Sequence, residues 1–513
     1  MARAQGTEQA RTDLLPALRA AADLLLPGEL AAPILVGVSG GPDSLALLHL
    51  LWRWLGGEGR VESLHAIVVD HALRPESAAE AAKVAAQCGV WGIGVAVRDV
   101  REGVIAGGRE GLEEAARQER YRLFATEAAR IGARTLALGH QADDQAETLL
   151  MHLFRGAGLA GLTGMPLVRR SGDLIDRYAA LRDEVGATLR PAIWRPLLGR
   201  GRAAIDAYCR AWGLNPSRDE TNDDLTLRRN SVRQRLLPLA EEIFPGSTAL
   251  LAREAALLAD DEAVLRAATD AAWDRCAEVA DRLVLFDRAA LRAEPPALQR
   301  RLLRRAWLVV RGVETALGLD AAPIEAAREA VEAPRSGGRW LLPDGIAVLV
   351  EYDRVVVGPD AAIEATLRQR LGLPLAEPGW SATLPTDTVI ALPSGWSLRL
   401  MSAAIATPGP TICSLPDSMP GSAPLVLRTW QSGDLLVLPG GRGTQKLQDW
   451  FVDRHIPRYL RRHLIVLAAG ARIYWIAGLA AFVAPTAEPK PVLRLLYNDT
   501  VFSEAATGLA DAR

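Results

Sequence analysis

The residues best suited to chemistry stand between two apolar runs. Residues 34–51 read ILVGVSGGPDSLALLHLL, so Ser39-Gly40-Gly41-Pro42-Asp43-Ser44 ends a strand-like run and opens a second run with helical rhythm. A glycine-rich turn from strand to helix leaves backbone N–H groups free at the helix N-terminus, where the macrodipole adds partial positive charge. Gly40 and Gly41 let an anion approach the backbone, Ser39 and Ser44 add hydroxyl donors, and Asp43 can help to hold a metal ion. The stretch therefore suits a polyphosphate; the bland alternative is an ordinary glycine-rich turn. It is not a Walker A loop, because no Gly-Lys-Ser/Thr ending occurs in the chain, and its spacing does not fit G-x-G-x-x-G.

Two other clusters carry chemistry. His140 is followed by Asp143, Asp144 and Glu147 in GHQADDQAETLL. On a helix, Asp144 and Glu147 fall on neighbouring turns of one face. Clustered carboxylates repel unless a cation lies between them, and Mg²⁺ shared with phosphate oxygens would supply it, with Asp43 as a third ligand. Acids favoured by a helix N-terminus are the simpler explanation, which suits Asp143 better than Glu147. In REGLEEAARQERYRLF, Glu113, Arg117 and Arg120 form one stripe, either a solvated ion-pair face or a basic face over phosphate.

The elements that must position these groups follow from the pattern of apolar residues. Strand-like runs at 34–38, 64–70, 92–97 and 134–140 alternate with helical stretches at 44–55, 75–88 and 110–131, and a helix is expected over 141–155. Continuous apolar strands between helices predict a doubly wound parallel α/β sheet covered on both faces. In such sheets ligands sit beyond the carboxyl ends of the strands, here marked by Ser39, by Asp70-His71 and by His140. Residues 165–195 are polar and flanked by prolines, an active-site loop or an insertion. The chain is helical again from about 198 to Pro245-Gly246, strongly helical over 247–330, hairpin-like over 337–358 and linker-like over 372–380. Short strands with one basic helix fill 381–500. The expected organisation is a catalytic α/β domain at 1–245, a mostly helical middle domain at 246–375 and a small α+β domain at 376–513.

With 513 residues the chain is too long for one core. A net charge of −2 excludes a uniformly basic nucleic-acid binder, so basic patches must be local. Candidates are Arg228, Arg229, Arg233 and Arg235; the run QRRLLRR; and Arg428, Arg442, Lys446, Arg454, Arg458, Arg461 and Arg462. Such groups bind phosphates without reading bases. Cys88, Cys209, Cys276 and Cys413 are scattered, with no CxxC, so neither a zinc knuckle nor a cysteine-held cluster is expected and a reducing cytoplasm fits. No apolar run is long enough for a membrane span, and the N-terminal residues do not read as a signal peptide.

The succession SGGPDS, VDHALRP, GLEEAARQERYRLF, GHQADDQAETLLMHLFRGAGLAGLTGM, WRPLL and DETNDDLTLRRNSVRQRLLPL, with Asp219, Asn222, Arg229, Asn230 and Arg233 in the last, resembles the tRNA(Ile)-lysidine synthases of the N-type ATP pyrophosphatase (PP-loop) superfamily. The resemblance is strong over 33–245 and looser over GRGTQKLQDWFVDRHIPRYLR. It implies an adenine nucleotide alpha-hydrolase-like sheet and the use of ATP with Mg²⁺. It also implies ligation of free L-lysine onto C2 of the wobble cytidine of isoleucine tRNA with a CAU anticodon. An adenylated cytidine would be the intermediate, and lysidine, AMP and pyrophosphate the products. Carried onto this chain, the resemblance implies ATP contacts from Ser39, Gly40, Gly41, Pro42, Asp43, Ser44 and His140. Mg²⁺ would sit on Asp43, Asp144 and Glu147, with Arg117 or Arg120 near the α-phosphate. The tRNA contacts would come from Arg229, Arg233, Arg442, Lys446 and Arg458. Two alternatives remain: a tRNA thiolase of the same superfamily, against which the absence of paired cysteines counts, and a non-catalytic tRNA-binding protein, against which the intact Asp43, His140, Asp144 and Glu147 count.

Overall fold

The computed structural model describes residues 12–70, 77–99, 109–170, 191–217, 224–313, 319–334, 336–384, 389–392, 395–404, 407–415, 424–438, 443–483, 490–497 and 500–501. The chain forms two compact units that part near residue 268.

The first unit is built on a six-stranded sheet. After helix α1 (Leu15–Ala22) come β1 (Ile34–Gly37), α2 (Pro42–Gly57), β2 (Leu64–Asp70), α3 (Ser77–Trp91), β3 (Gly94–Asp99), α4 (Arg109–Ile131), β4 (Thr135–Leu138) and α5 (Ala142–Phe154). The antiparallel pair β5 (Val168–Arg169) and β6 (Ala192–Trp194), then α6 (Arg202–Ala211), complete the layer. The strand order is β3-β2-β1-β4-β6-β5. All pairs are parallel except β5 with β6. Every residue of β1 and β4 is buried, as a sheet covered on both faces requires. Ile34 and Val36 pack with α2 in one core, and Leu35 packs with Tyr121 and Phe124 of α4 in a second core on the opposite face. The doubly wound sheet read from the sequence is thus present, and its helices fall where the apolar rhythm placed them.

The strand order carries a functional consequence. The chain winds outward from β1 through β2 to β3, then crosses back to lay β4 on the other side of β1. The crevice at this reversal, beyond the carboxyl ends of β1 and β4, is where open α/β sheets bind ligands.

The second unit holds the middle and C-terminal segments. Helices Pro296–Arg311 and Ala321–Glu332 match the helical reading of the middle segment. They accompany a five-stranded antiparallel sheet of order β7-β8-β11-β10-β9, formed by β7 (Ala277–Ala280), β8 (Leu283–Asp287), β9 (Gly338–Leu342), β10 (Ile346–Val350) and β11 (Arg354–Pro359). The sequence anticipated the 337–358 part alone. Asp281 and Arg282, with φ of 52° and 63°, join β7 to β8 in the two-residue, positive-φ manner of a primed hairpin turn. Residues 381–501 form a seven-stranded and a five-stranded sheet, with the short helix Leu447–Asp453.

One glycine fixes the geometry of the crevice. A Cβ on Gly139, just past β4, would lie 2.9 Å from the backbone carbon of Asp43 and from the backbone nitrogen of Ser44. Neither backbone atom can move without shifting α2. Gly139→Ala is therefore expected to lower stability by about 1–3 kcal/mol, as overpacking does. Urea denaturation measures this, and an unchanged midpoint would show that α2 and β4 are not in contact there.

Candidate active site

The turn after β1 is held in an open cradle by its own residues. Gly40 has φ of +82°, a conformation glycine adopts without strain. Its carbonyl accepts from the Ser217 N–H at 2.9 Å. Gly41 caps α2 and Pro42 fills the first helical position, where a missing N–H costs nothing. The Ser39 N–H donates to Ser44 Oγ at 3.1 Å, and Ser44 Oγ donates to the Gly41 carbonyl at 3.1 Å. The hydroxyls of Ser39 and Ser44 lie 3.2 Å apart. The amides of the first turn of α2 have no intrahelical acceptor, so they point out of the helix end with its dipole behind them.

The crevice opens into a cavity of about 380 Å³ lined by Ser39, Asp43, Ser44, Arg117, Arg120 and His140, among others. One Asp43 oxygen, Oδ1, is buried without a hydrogen-bond partner, and the other lies 3.7 Å from Arg202. Burial, with Asp144 nearby, pushes the Asp43 carboxyl up to about 6 despite the opposing pull of Arg202. His140 Nδ1 is also buried and unpartnered. Burial, reinforced by Arg195, pulls the His140 imidazole down to about 3, so the ring is neutral at physiological pH.

Asp144 and Glu147 are buried on α5, and the structure gives them partners the sequence assigned elsewhere. Gln141 caps α5 by accepting from the Asp143 N–H, while Asp144 Oδ2 accepts from the Gln141 N–H. Arg229, on helix α7 (Arg228–Ser231), donates to Glu147 at 2.8 Å and to Asp144 at 3.1 Å. Arg233 donates to Asp144 at 2.8 Å and to Glu147 at 3.1 Å. It lies in a π-helical turn, Val232–Leu236, that continues α7. Burial raises the Asp144 carboxyl, but the Arg229 and Arg233 guanidiniums outweigh it and hold the group below its ordinary value. Two buried carboxylates and two guanidiniums thus neutralise one another, the arrangement a fully buried Glu147 requires. Among the described residues no three His, Cys, Asp or Glu side chains form a metal-holding group. Of the expected trio Asp43, Asp144 and Glu147, the last two are occupied by Arg229 and Arg233, and Asp43 keeps a buried oxygen unpartnered.

The remaining expectations divide. Arg117 and Arg120 both line the cavity, and Arg117 stacks over the Tyr121 ring with 5.3 Å to its centroid. Lys446 and Arg458 are exposed in the second unit, as phosphate contacts require. Arg428 and Arg461, counted among the basic residues of that segment, are instead structural. Arg428 pairs with buried Asp434 at 2.6 Å, and Arg461 donates to the Ile456 carbonyl at 2.9 Å. Part of QRRLLRR is similarly engaged, Arg300 with Glu325 and Arg305 with Asp270. His71, Asp219, Asn222, Arg442, the side chain of Glu113 and most of the 165–195 segment lie outside the described residues. Sequence reasoning missed Arg202, which faces Asp43, and Arg195, buried beside His140. An arginine within the apolar run PAIWRPLL was the available signal for Arg195.

Three family models match the chain: a PP-loop domain over residues 17–240, a TilS substrate binding domain over 286–356 and a TilS substrate C-terminal domain over 425–494. Among curated relatives, the tRNA(Ile)-lysidine synthase of Symbiobacterium thermophilum is 37% identical over 477 residues, covering 89% of this chain and 91% of that one. The protein of that name from Geobacter sulfurreducens is 33% identical, covering 87% and 88%. The one from Geobacillus kaustophilus is 31% identical, covering 91% and 95%. Among the described residues no helix is long and apolar enough to cross a membrane.

The state of Asp43 has a measurable sign. Its folded-state pKa of about 6 lies above the unfolded value, so the folded protein binds the proton more tightly and this group's stabilising contribution is lost as pH rises from about 4 through about 6. Asp43→Asn has no such loss. Relative to the parent, its stability is expected to rise by about 2–3 kcal/mol between pH 4 and pH 7.5. Urea titrations across that range measure the gap. A gap independent of pH would place the carboxyl in water.

Proposed function

The chain belongs to the tRNA(Ile)-lysidine synthase family of ATP-dependent ligases, and on that premise we propose that it joins free L-lysine to C2 of the wobble cytidine, position 34, of the CAU-anticodon isoleucine tRNA. The observation that carries this reading is the conjunction, at one strand crossover, of an anion cradle, a buried unpartnered acid and a neutral histidine. In this reading ATP adenylates O2 of the cytidine, pyrophosphate leaves, and the lysine ε-amine then attacks C2 and displaces AMP.

The residues fit the parts of that reaction. The amides and hydroxyls from Ser39 to Ser44 bind the β- and γ-phosphates at the head of α2. The orphaned Asp43 oxygen fits a divalent cation, with Asp144 and Glu147 as further oxygen donors if their guanidinium partners withdraw. Bound there, Mg²⁺ supplies charge neutralisation for the departing pyrophosphate. Arg117 or Arg120 faces the α-phosphate, where negative charge grows in the transition state. His140, uncharged, offers an imidazole nitrogen to the nucleotide without adding charge. The amine of the incoming lysine needs acids around it. Exchanging its ammonium for a guanidinium at Glu147 keeps the buried charge balanced. The target base must leave its stack to reach the cavity.

The tRNA itself is held by cations on the surface. Lys446 and Arg458 suit the phosphate backbone, with Arg442 beside them in sequence, and Arg229 and Arg233 would join once released from Asp144 and Glu147. We retain the division into a catalytic part at 1–245, a middle part at 246–375 and a C-terminal part at 376–513, the last two serving tRNA binding. The cytoplasm, where tRNA is modified, is the proposed location.

Incubation with the isoleucine tRNA, Mg·ATP and labelled lysine tests the assignment. Lysine entering tRNA with stoichiometric AMP supports it. Pyrophosphate release without lysine uptake points to another PP-loop chemistry such as thiolation, and silence in both points to a tRNA binder. Asp43→Asn is expected to lower AMP formation at least 1,000-fold (about 4 kcal/mol) while tRNA affinity stays within twofold. A fully active variant would remove Asp43 from the site.

A further inference from the structure

Arg195 is the least expected charge in the first unit. It follows β6 and is only 3% exposed. Its Nε is buried without a partner, and its Nη1 donates to the Pro166 carbonyl at 3.0 Å. Among the described residues no carboxylate pairs with it. The Tyr121 hydroxyl acts on it favourably, and the charges that act on it most are cationic, Arg169 and Arg117. Burial, with Arg169 and Arg117 adding to it, pulls the guanidinium down to about 10, still protonated at physiological pH. A buried cation among cations, without a counter-ion, is costly in a folded chain. Such a group is retained where an anion completes it.

The cavity supplies the place for that anion. Tyr121, His140 and Arg117 all line it, while Arg195 itself does not. Arg195 interacts with the Tyr121 hydroxyl, and the Tyr121 ring lies under the Arg117 guanidinium. We propose that Arg195 is a positioning residue for the nucleotide site: through Tyr121 it fixes Arg117 at the cavity wall, and its own charge, balanced only when the nucleotide phosphates arrive, strengthens their binding. This rests on the ATP reading above. It deepens that reading by adding two residues, Arg195 and Tyr121, that the sequence did not single out.

The two possible roles of Arg195 give opposite signatures. A merely structural arginine would, on replacement by methionine, lose stability and leave the ATP affinity of the remaining folded protein unchanged. A positioning charge replaced by an apolar side chain of similar length loses a buried, unpaired cation, so stability is unchanged or raised. The experiment measures ATP dissociation constants by calorimetry and melting temperatures for the full chain, Arg195→Met, Arg195→Lys and Tyr121→Phe. Arg195→Met is expected to weaken ATP binding at least tenfold without a lower melting temperature, and Arg195→Lys to recover part of the loss. Tyr121→Phe, which removes the hydroxyl that interacts with Arg195, is expected to weaken ATP binding severalfold, and the double variant to lose less than the sum of the two. Absence of ATP binding by the parent chain would overturn the nucleotide reading itself. Parent-like affinity in Arg195→Met would overturn the positioning role alone. If Arg195→Met does not fold, parent-like affinity in Tyr121→Phe overturns it equally.

Discussion

The site depends on the first turn of α2 being pressed against the chain that leaves β4. That contact is made by backbone on backbone, with Gly139 lying where any side chain would strike Asp43 and Ser44. It sets the width of the crevice and aims the helix N-terminus at the gap between the two strands. It also places Asp43, on α2, beside the residues that follow β4. The strand order puts this contact where the chain crosses back from β3 to lay β4 beside β1, so the cradle and the candidate side chains that follow β4 meet at one crevice.

Charge is distributed around that contact in two ways. Asp144, Glu147, Arg229 and Arg233 form a closed set in which burial is tolerated because the partners are all present. Asp43, His140 and Arg195 are the opposite case, buried polar groups left with atoms that bond to nothing. A folded protein gains no stability from such groups. In the proposed reading the substrate supplies what the fold withholds there, the usual trade between stability and activity. The neutral His140 and the raised Asp43 are consequences of the same burial, acting in opposite directions on a base and an acid.

Much of this was legible in the sequence, and the failures have identifiable causes. The parallel sheet announced itself because its strands are apolar throughout, and SGGPDS announced the cradle because each residue type there has a local reason. Partnerships across long sequence separations were not legible. Arg229 and Arg233 read as free basic residues, yet their carboxylates stand more than 80 positions earlier, and no periodicity links them. Arg428 and Arg461 read as surface cations because composition carries no sign of burial. The β7–β8 hairpin escaped because its turn is Asp281-Arg282 in place of the Asn-Gly that marks such turns, within an alanine-rich stretch that favours helix. Arg195 was visible only as an interruption of an apolar run, and its meaning required the position of Tyr121.

The most direct test of the central claim is a crystal structure with magnesium and a non-hydrolysable ATP analogue. The β- and γ-phosphates should lie within hydrogen-bond distance of the backbone amides between Gly40 and Ser44, with the metal ion on Asp43 and the α-phosphate toward Arg117. A nucleotide bound with its phosphates away from the head of α2, or a metal ion with no contact to Asp43, would contradict the account.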